Sequence, residues 1–318
     1  MSRATSLPNL LRRRLTRLVI SLVVVLTISF LLIQLIPGDP ARTSLGPDAS
    51  AELVAQRRHL LGLDQPVLVQ YWHYWGNVLS GRFGTSLMTS VPVSYTIRDG
   101  LKNTLVLVSI TLIVTVIASI AIGMVLGVAT QHNRRPGAQL AFTVIAGLIS
   151  AIPQFLVAVL LVYFFAVKLR WFPAGGADNW HSFVLPALAI TGSATAIMTR
   201  VVRSQTTVVL DQDYIRVARA KRLPPGLIYR RHALPNVLTA ALTLAGLQLG
   251  AVITASIVIE KVFAIPGLGK ALVDGLLASD YPVVQAILLL FAAGVLVVTL
   301  VVDLIIGMLD PRSNLQER

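Results

Sequence analysis

Long apolar runs, each about the length of a membrane-crossing helix, dominate the hydropathy pattern of the chain. A helix that crosses a hydrocarbon core about 30 Å thick needs roughly 20 apolar residues. Polar residues fall mainly between the runs. The pattern therefore predicts an all-α integral membrane protein with six transmembrane helices. The six segments are about residues 15–36, 103–130, 138–167, 183–202, 237–259 and 283–309.

The first of these segments follows a basic stretch, which is also the layout of a secretory signal peptide. Its apolar run is long for a signal peptide. The sequence IPGDPARTS follows it, where a small-x-small cleavage site would be expected. We therefore interpret residues 15–36 as a retained transmembrane helix.

Composition supports a membrane protein and excludes several kinds of site. The chain is 55% hydrophobic and 13% charged, whereas soluble domains are about one quarter charged. Its mean hydropathy is +0.76. The absence of cysteine excludes disulfides, thiolate metal sites and a cysteine nucleophile. The five histidines are scattered over separate loops without zinc-ligand spacing, so no metal site is predicted.

The distribution of charge predicts the orientation in the membrane. Six segments place both termini on one side, together with the loops after the second and fourth segments. That side carries a net charge of +13, and the opposite loops carry +1. Because cytoplasmic loops are enriched in Lys and Arg, both termini are predicted to be cytoplasmic. Orientation explains the basic balance, so nucleic-acid binding is not needed as an explanation.

The segments divide the chain into four regions. Residues 1–36 hold the N-terminal tail and first helix, 37–101 an extracytoplasmic loop, 102–309 a five-helix core, and 310–318 a cytoplasmic tail. The long loop contains a stretch with helical spacing and the Tyr- and Trp-rich sequence VLVQYWHYWGNVL. Two interpretations remain open: a cap that meets a substrate-delivering partner, or helices that lie on the bilayer and shield the helix ends.

The sequence contains no convincing catalytic or nucleotide-binding motif. PGLGKAL resembles a phosphate loop only faintly, because that loop requires G-x-x-x-x-G-K-[ST]. Ala264 occupies the first glycine position, and Ala271 follows Lys270. The charge count also places this stretch outside the cell. We therefore predict a glycine-rich re-entrant turn, and no ATP site on this chain.

Polar residues are rare within the predicted segments. Asp303 lies near the cytoplasmic end of the sixth segment, and the lack of deeper ionisable groups argues against a proton-coupled carrier. The fourth segment carries Ser193, Thr195 and Thr199, for which helix packing is the favoured interpretation and lining of a polar pathway the alternative. The G-x-x-x-G spacing in GMVLG, residues 123–127, is typical of close helix packing.

The cytoplasmic stretch at residues 213–236, DYIRVARAKRLPPGLIYRRHALPN, is basic and also contains helix-breaking residues in a definite order. It begins with an aspartate that suits a helix N-terminus, and Pro224, Pro225 and Gly226 then interrupt it. This order predicts helix, turn, helix beneath the bilayer. Attraction to anionic lipid would explain the charge. The ordered helix breakers and the apolar residues are not required for lipid attraction. They favour a rigid projection that another protein binds.

Here the sequence resembles the permease subunits of bacterial ABC importers. The peptide-importer form of their cytoplasmic signature reads D-Y-x-R-x-A-R-A-K-G-L and then H-A-L-x-N. Twelve positions of this chain agree with it: Asp213, Tyr214, Arg216, Ala218, Arg219, Ala220, Lys221, Leu223, His232, Ala233, Leu234 and Asn236.

The resemblance extends along the chain and is specific for the dipeptide, oligopeptide and nickel importers, and for the first of their two permease subunits. The matching stretches are QLIPGDPA (34–41), LGLDQPVLVQYWHYW (61–75), SGRFGTSL (80–87), AIPQFLVAVLLVYFFAVKLRWFPAGG (151–176), EKVFAIPGLGKALVDGLLASDYPVVQA (260–286) and LDPR (309–312). SGRFGTSL departs from the family's G-D-x-G-x-S pattern at Arg82 and Phe83.

The resemblance implies a type I ABC importer permease fold in the bacterial inner membrane. It also implies a second homologous permease, two cytoplasmic ATPase subunits that hold ATP and Mg, and an extracytoplasmic substrate-binding protein. The chain itself would bind no cofactor. Peptide is the expected substrate, with nickel chelates, glutathione or haem as alternatives. A stand-alone secondary carrier would need ion-coupling groups or inverted repeats, and a membrane-embedded hydrolase would need facing catalytic side chains. Neither pattern is visible.

The resemblance also assigns a coupling role to the cytoplasmic stretch. Arg222 stands where the peptide-importer pattern has glycine, which would permit a left-handed backbone. With arginine there, we expect the turn to shift to Pro224, Pro225 and Gly226. The core of the ATPase contact is expected at Ala218, Ala220, Lys221, Arg222, Leu223 and Gly226. The full expected set is Asp213, Tyr214, Arg216, Ala218, Arg219, Ala220, Lys221, Arg222, Leu223, Gly226, His232 and Pro235.

Overall fold

The computed structural model describes residues 7–35, 39–46 and 48–309, and this part of the chain is mostly helical. Its β pairing is one isolated bridge between Thr85 and Pro92. The N-terminal tail through residue 6 and the predicted C-terminal tail, 310–318, lie outside the described residues. We number the helices in chain order as α1 Leu7–Leu35, α2 Pro40–Leu45, α3 Ala51–Leu60, α4 Val67–Leu79, α5 Val93–Thr130, α6 Pro136–Ala151, α7 Gln154–Leu161, α8 Val184–Leu210, α9 Asp213–Ala220, α10 Pro225–Leu227, α11 Leu234–Val262, α12 Leu268–Leu277 and α13 Tyr281–Leu309.

Four helical stretches in the described residues are long and apolar enough to cross a membrane. The pair α6 and α7 is a fifth if the two form one span. The second, fourth, fifth and sixth predicted segments are thereby confirmed as apolar helices of spanning length. The apolar part of α1, Leu15–Leu31, is shorter, so the count of six and the cytoplasmic termini remain predictions. The four stretches are Val93–Thr130, Trp180–Leu210, Pro225–Val262 and Tyr281–Val302.

The third predicted segment is sharply bent, contrary to the continuous helix predicted over 138–167. The axes of α6 and the helix that follows it differ by 87°. The break lies at Ile152 and Pro153, both with extended ψ angles of 125° and 133°. Proline lacks the N–H that a helix interior requires, and its ring disfavours a helical conformation at the preceding residue. The hydropathy pattern could not show this bend, because both arms are apolar.

The chain divides into two compact units, and the larger comprises Val106–Phe263 and Val298–Arg318. Within it, α8 packs against α6, α7 and α11. The least apolar of the six predicted segments lies in this helix, yet its span is 67% buried, against 28% for each of the other three spans. A helix surrounded by other helices can use small and hydroxyl-bearing residues for close contact. Lower hydropathy here reflects burial among helices.

The G-x-x-x-G spacing of α5 packs against α8, as predicted. A Cβ added at Gly123 would lie 2.6 Å from Val202 Cγ1, and one added at Gly127 would lie 2.6 Å from Thr206 Cβ. Real Cβ atoms do not approach this closely. Both contacts advance by four residues in the same chain direction, so the two helices run parallel at this seam.

The smaller unit comprises Met1–Leu105 and Ala264–Val297, and Asp280 ties its two chain segments together. The Asp280 carboxylate is buried and accepts hydrogen bonds from Ser86 Oγ and, at 3.0 Å, from the Leu87 N–H. Nearby, Asn103 Nδ2 donates to the Pro266 carbonyl at 2.9 Å. The stretch SGRFGTSL and the glycine-rich block at 260–286, far apart in sequence, therefore meet within this unit.

Replacing Asp280 with alanine is expected to destabilise the smaller unit. The change removes two hydrogen bonds to a buried carboxylate and leaves their donors unsatisfied, at a cost of about 3 kcal/mol or more. The measurement is the thermal unfolding midpoint of the purified protein in detergent. Asp64→Asn is the control, because that carboxylate is exposed and forms an exposed pair with His59. Equal midpoints for the two variants would contradict the assignment.

The Tyr- and Trp-rich helix α4 packs against α1 in the same unit. Tyr71 stacks edge-on with Phe30 at 5.3 Å, and its hydroxyl lies 2.8 Å from Thr27 Oγ1. Other large side chains of α4, including Leu68 and Trp72, are exposed. The helix thus covers α1 with one face and offers an apolar face on the other, which is compatible with both predicted roles of the extracytoplasmic loop.

Candidate coupling surface

The predicted cytoplasmic projection is a short helix, α9, closed by a left-handed residue. Arg222 has φ 55°. Its N–H donates to the Arg219 carbonyl at 2.9 Å, and the Leu223 N–H donates to the Ala218 carbonyl at 3.3 Å. These two bonds form a Schellman motif, which satisfies the last carbonyls of a helix and usually places glycine at the left-handed position.

The prediction that arginine would shift this turn is wrong. Arg222 itself adopts the left-handed conformation, and the next helix has already begun at Pro225, the first helical position, which suits proline. Gly226 therefore lies in a helix, with open space where a Cβ would be. The capping hydrogen bonds fix the geometry at position 222, although a left-handed conformation costs an L-residue roughly 1–2 kcal/mol.

Arg222→Gly is therefore expected to raise the stability of the projection by about 1 kcal/mol, because glycine adopts this conformation without a steric penalty. Arg222→Ala is the matched control, since it removes the same side chain and keeps the strain. The measurement is hydrogen exchange of the α9 amides. If both variants change exchange equally, the side chain and not the backbone strain is responsible.

Apolar residues anchor the projection to the bundle. Ile215, Ala218, Ile228 and Ala233 are buried in one cluster with side chains of α8 and α11, and Leu223 packs against it half-buried. Burial of Ala218 corrects its predicted role: it belongs to the internal packing and is not available for direct contact with a partner. The α8 and α11 members of the cluster are Met198, Val202, Val209, Leu210, Val237 and Ala241.

Most of the predicted coupling residues form an exposed, basic outer face, which we call the coupling surface. His232, like Leu223, is half-buried and lies outside it. Partial burial raises the pKa of the Tyr214 phenol above its ordinary value, so this group stays neutral at physiological pH. The ion pair of Arg216 with Asp213, at 3.2 Å, is exposed and contributes little to stability. The coupling surface consists of Asp213, Tyr214, Arg216, Arg219, Ala220, Lys221, Arg222, Gly226 and Pro235.

A buried glutamine that the sequence did not single out connects this projection to α5. Gln131, directly after α5, donates from Nε2 to Asp211 Oδ1 at 2.8 Å and accepts from Arg219 Nη2 at 3.3 Å. It is only 6% exposed. Asp211 follows α8 and Arg219 lies on α9, so one amide joins three helices. Nothing in QHNRR marks this glutamine, because its partners lie 80 and 88 residues away.

Gln131→Ala is expected to loosen α9 without unfolding the bundle. The change removes two side-chain hydrogen bonds, which together contribute about 1–3 kcal/mol. We expect faster hydrogen exchange over residues 213–220 and a lower ratio of substrate-stimulated to basal ATP hydrolysis in the assembled transporter. Gln139→Ala, on α6, is the control. If Gln139→Ala has the same effect as Gln131→Ala, the hydrogen bonds of Gln131 to Asp211 and Arg219 have no specific role in coupling.

The three residues considered for pathway lining do not lie on one open surface. Ser193 Oγ accepts a hydrogen bond from Gln154 Nε2 of α7 at 2.7 Å. Thr195 is half-buried and Thr199 is buried, and within the described chain neither hydroxyl has a hydrogen-bond partner. Pathway lining stays a prediction, and the surroundings of Ser193 favour helix packing.

Glu260 is a buried acid that the predicted segment boundaries leave outside a helix. The fifth segment was predicted to end at Ile259, which put Glu260 outside it. Helix α11 continues to Val262, and Glu260 is fully buried. The prediction that the helices hold no buried acid other than Asp303 is therefore wrong. Among the described residues, no group of three His, Asp or Glu could hold a metal ion.

Comparison with known proteins gives matches along nearly the whole chain. Residues 119–314 match the family "Binding-protein-dependent transport system inner membrane component", and residues 7–108 match "Binding-prot-dependent transport system membrane comp, N-term". The "Glutathione transport system permease protein GsiC" of Salmonella choleraesuis (strain SC-B67) is 41% identical over 306 residues, covering 95% of this chain and 98% of the relative. The protein of the same name from Escherichia coli (strain K12) is 39% identical over 303 residues, with the same coverage.

Solved structures share the fold. A chain of "Inward facing conformations of the MetNI methionine ABC transporter: CY5 native crystal form" superposes with a TM-score of 0.58 at 20% identity, covering 68% of this chain and 97% of that chain. A second crystal form of the same transporter gives a TM-score of 0.59 at 18% identity.

Proposed function

The chain belongs to the family of binding-protein-dependent transport system inner membrane components, and from that premise we propose that it forms half of the translocation pathway of an ATP-driven importer of short peptides. As a member of this family it is a multi-pass inner-membrane permease subunit of an ABC importer and not itself an ATPase. The observation that carries the proposal is the match of both its N-terminal and core regions to this family.

We propose six membrane spans with both termini in the cytoplasm. Helix α1 would be the first span, and the bent pair α6 and α7 the third. The charge distribution supports this orientation. Cytoplasmic loops are enriched in Lys and Arg, and the basic stretch at 213–236 would then lie on the cytoplasmic side.

The partners of the chain would complete the transporter. The family implies ATPase and binding-protein partners. We propose one second, homologous permease, two ATPase subunits that carry ATP and Mg, and one extracytoplasmic binding protein. The coupling surface would dock into a groove of one ATPase. Closure of the ATPase pair would move α9, and the buried cluster behind it would transmit the movement to α8 and α11, rocking the helices between outward and inward states.

Short peptides are the proposed substrate, and glutathione, itself a tripeptide, is the first compound to test. The names of the two relatives described above support this choice. Nickel chelates and haem are alternatives within the same architecture, and the selection would rest largely on the binding protein.

Reconstitution tests this function directly. The two permeases, the ATPases and the cognate binding protein are placed in proteoliposomes, and ATP hydrolysis is measured with dipeptide, tripeptide, pentapeptide, glutathione, nickel chelate or haem. We expect a several-fold stimulation by at least one peptide, and none by nickel chelate or haem. Stimulation by nickel chelate or haem alone would overturn the peptide assignment. Failure of any ATPase to co-purify would overturn the coupling proposal.

A further inference from the structure

An apolar groove with a basic rim opens where α5 ends, beside the cytoplasmic stretch. Its volume is about 570 Å³. Met124, Val125, Val128 and Ala129, from the last turns of α5, form its wall. Tyr229, from the π-helical turn between α10 and α11, completes the lining.

Two adjacent arginines form the rim. Arg134 and Arg135 both line the groove and are both exposed. Within the described chain neither takes part in an ion pair, whereas the nearby carboxylate of Asp211 is engaged by Gln131 and, at 3.5 Å, by His132. The guanidinium groups are therefore available to an external anion, and their planar donors suit the oxygens of a phosphate.

The wall continues into an exposed apolar side of α5. Val125 is 68% exposed, and Ile117, two turns earlier on the same face, is 63% exposed. An exposed apolar stripe on a helix of this hydropathy is suited to contact with hydrocarbon. The groove thus combines an acyl-compatible wall with a cationic rim at the predicted cytoplasmic boundary, where basic pockets between helices bind anionic lipid head groups.

We propose that this groove binds one anionic phospholipid. The phosphate lies between Arg134 and Arg135, and an acyl chain runs along Val125 towards Ile117. Since Tyr229 belongs to the cytoplasmic stretch that links α9 to α11, the bound lipid also contacts the element proposed to transmit ATPase movement. Occupancy is expected to stabilise that element and to raise substrate-stimulated ATP hydrolysis. Binding of the lipid itself does not depend on the proposed transport function.

Lipid retention provides the primary test. The assembled transporter is purified from membranes containing phosphatidylglycerol, and the retained phosphatidylglycerol is counted by native mass spectrometry. Arg134→Gln/Arg135→Gln is expected to lower retention at least fivefold. Arg12→Gln/Arg17→Gln is the matched control, because it removes the same charge from exposed residues on the same predicted side. Equal retention in the two variants would overturn the specific site and leave only general attraction to the leaflet.

A second variant separates the lipid from other occupants. Val125→Trp places a larger side chain in the groove and keeps both arginines, so it should also lower phosphatidylglycerol retention. Because Val125 is exposed, the substitution should not disturb the fold. Normal retention in this variant would mean that the rim binds phosphate alone, which overturns the proposal. Excess inorganic phosphate should not displace the lipid. If phosphatidylglycerol binds only after the ATPases are removed, a protein occupies the groove and the proposal also fails. Thermal unfolding of each variant verifies that the chain is folded.

Discussion

Replacing Ala220 with arginine is expected to abolish coupling to ATP hydrolysis while leaving the chain folded. Ala220 is the last residue of α9, and it is exposed on the coupling surface. Arginine is nearly as good a helix former as alanine, and a cation near a helix C-terminus is favourable. The substitution therefore leaves the projection intact, but places a large, charged side chain where a partner groove must fit closely.

The expected size of this effect is large. Burying an unmatched charge in a tight interface costs several kcal/mol, and each 1.4 kcal/mol is about a tenfold loss of affinity. We expect ATPase co-purification and substrate-stimulated hydrolysis to fall by at least about tenfold. Ala138→Arg, an exposed position at the start of α6 on the same predicted side, should retain both. Full stimulation in the Ala220 variant would exclude the coupling surface as the docking site.

The choice of Ala220 follows from the structure. From sequence alone, Ala218 and Leu223 belonged to the same contact core. Both pack towards the buried cluster beneath the projection, so changing them would disturb the fold of the projection itself. A loss of coupling in those variants would not distinguish a docking role from a structural one.

Replacing Gly123 and Gly127 together with valine is expected to prevent stable packing of α5 against α8. Each new Cβ would lie 2.6 Å from Val202 or Thr206, at β-branched atoms close to the backbone that cannot swing aside. Overpacking of this kind typically costs about 1–3 kcal/mol per site. We expect the purified protein to lose its cooperative thermal transition or to unfold at a much lower temperature.

Two companion variants make this result specific. Gly250→Ala lies inside α11, where an added Cβ meets open space, and should be neutral or slightly stabilising because alanine is the better helix former. Adding Val202→Gly and Thr206→Gly to the double valine variant should restore part of the stability, because glycine removes the Cβ and Cγ atoms that the new side chains would meet. An unchanged thermal transition in the double valine variant would contradict the close packing of α5 against α8. So would a failure of the added substitutions to restore any stability.

Hydropathy was sufficient to locate the long helices, because a span must be apolar whatever it packs against. It was misleading about their surroundings. The fourth segment looked weakest because α8 is covered by other helices, and its hydroxyl-bearing residues are compatible with that burial. The bend at Pro153 and the burial of Glu260 depended on the course of the backbone and on a helix end three residues further on, neither of which hydropathy reports.

The cytoplasmic stretch shows the same limit at the level of single residues. Because glycine is the residue that favours a left-handed conformation, an arginine at position 222 predicted a different turn. The Schellman hydrogen bonds from the Arg222 and Leu223 N–H groups nevertheless hold the backbone of Arg222 in the left-handed conformation. The role of Gln131 could not be predicted, since it depends on Asp211 and Arg219 being brought to the same place by three helices. The motif indicated a partner surface, and the fold determines which of its residues face outward.

Site-directed cross-linking from Ala220 shows whether the coupling surface contacts an ATPase subunit. The chain has no cysteine, so Ala220→Cys introduces a single attachment point on this chain for a short maleimide photo-cross-linker, which is attached before the transporter is assembled. We expect cross-links to an ATPase subunit from Ala220→Cys, and none to an ATPase from Tyr95→Cys, an exposed position on the predicted outer side. Cross-links from Ala220 only to lipid or to the other permease would contradict the docking proposal.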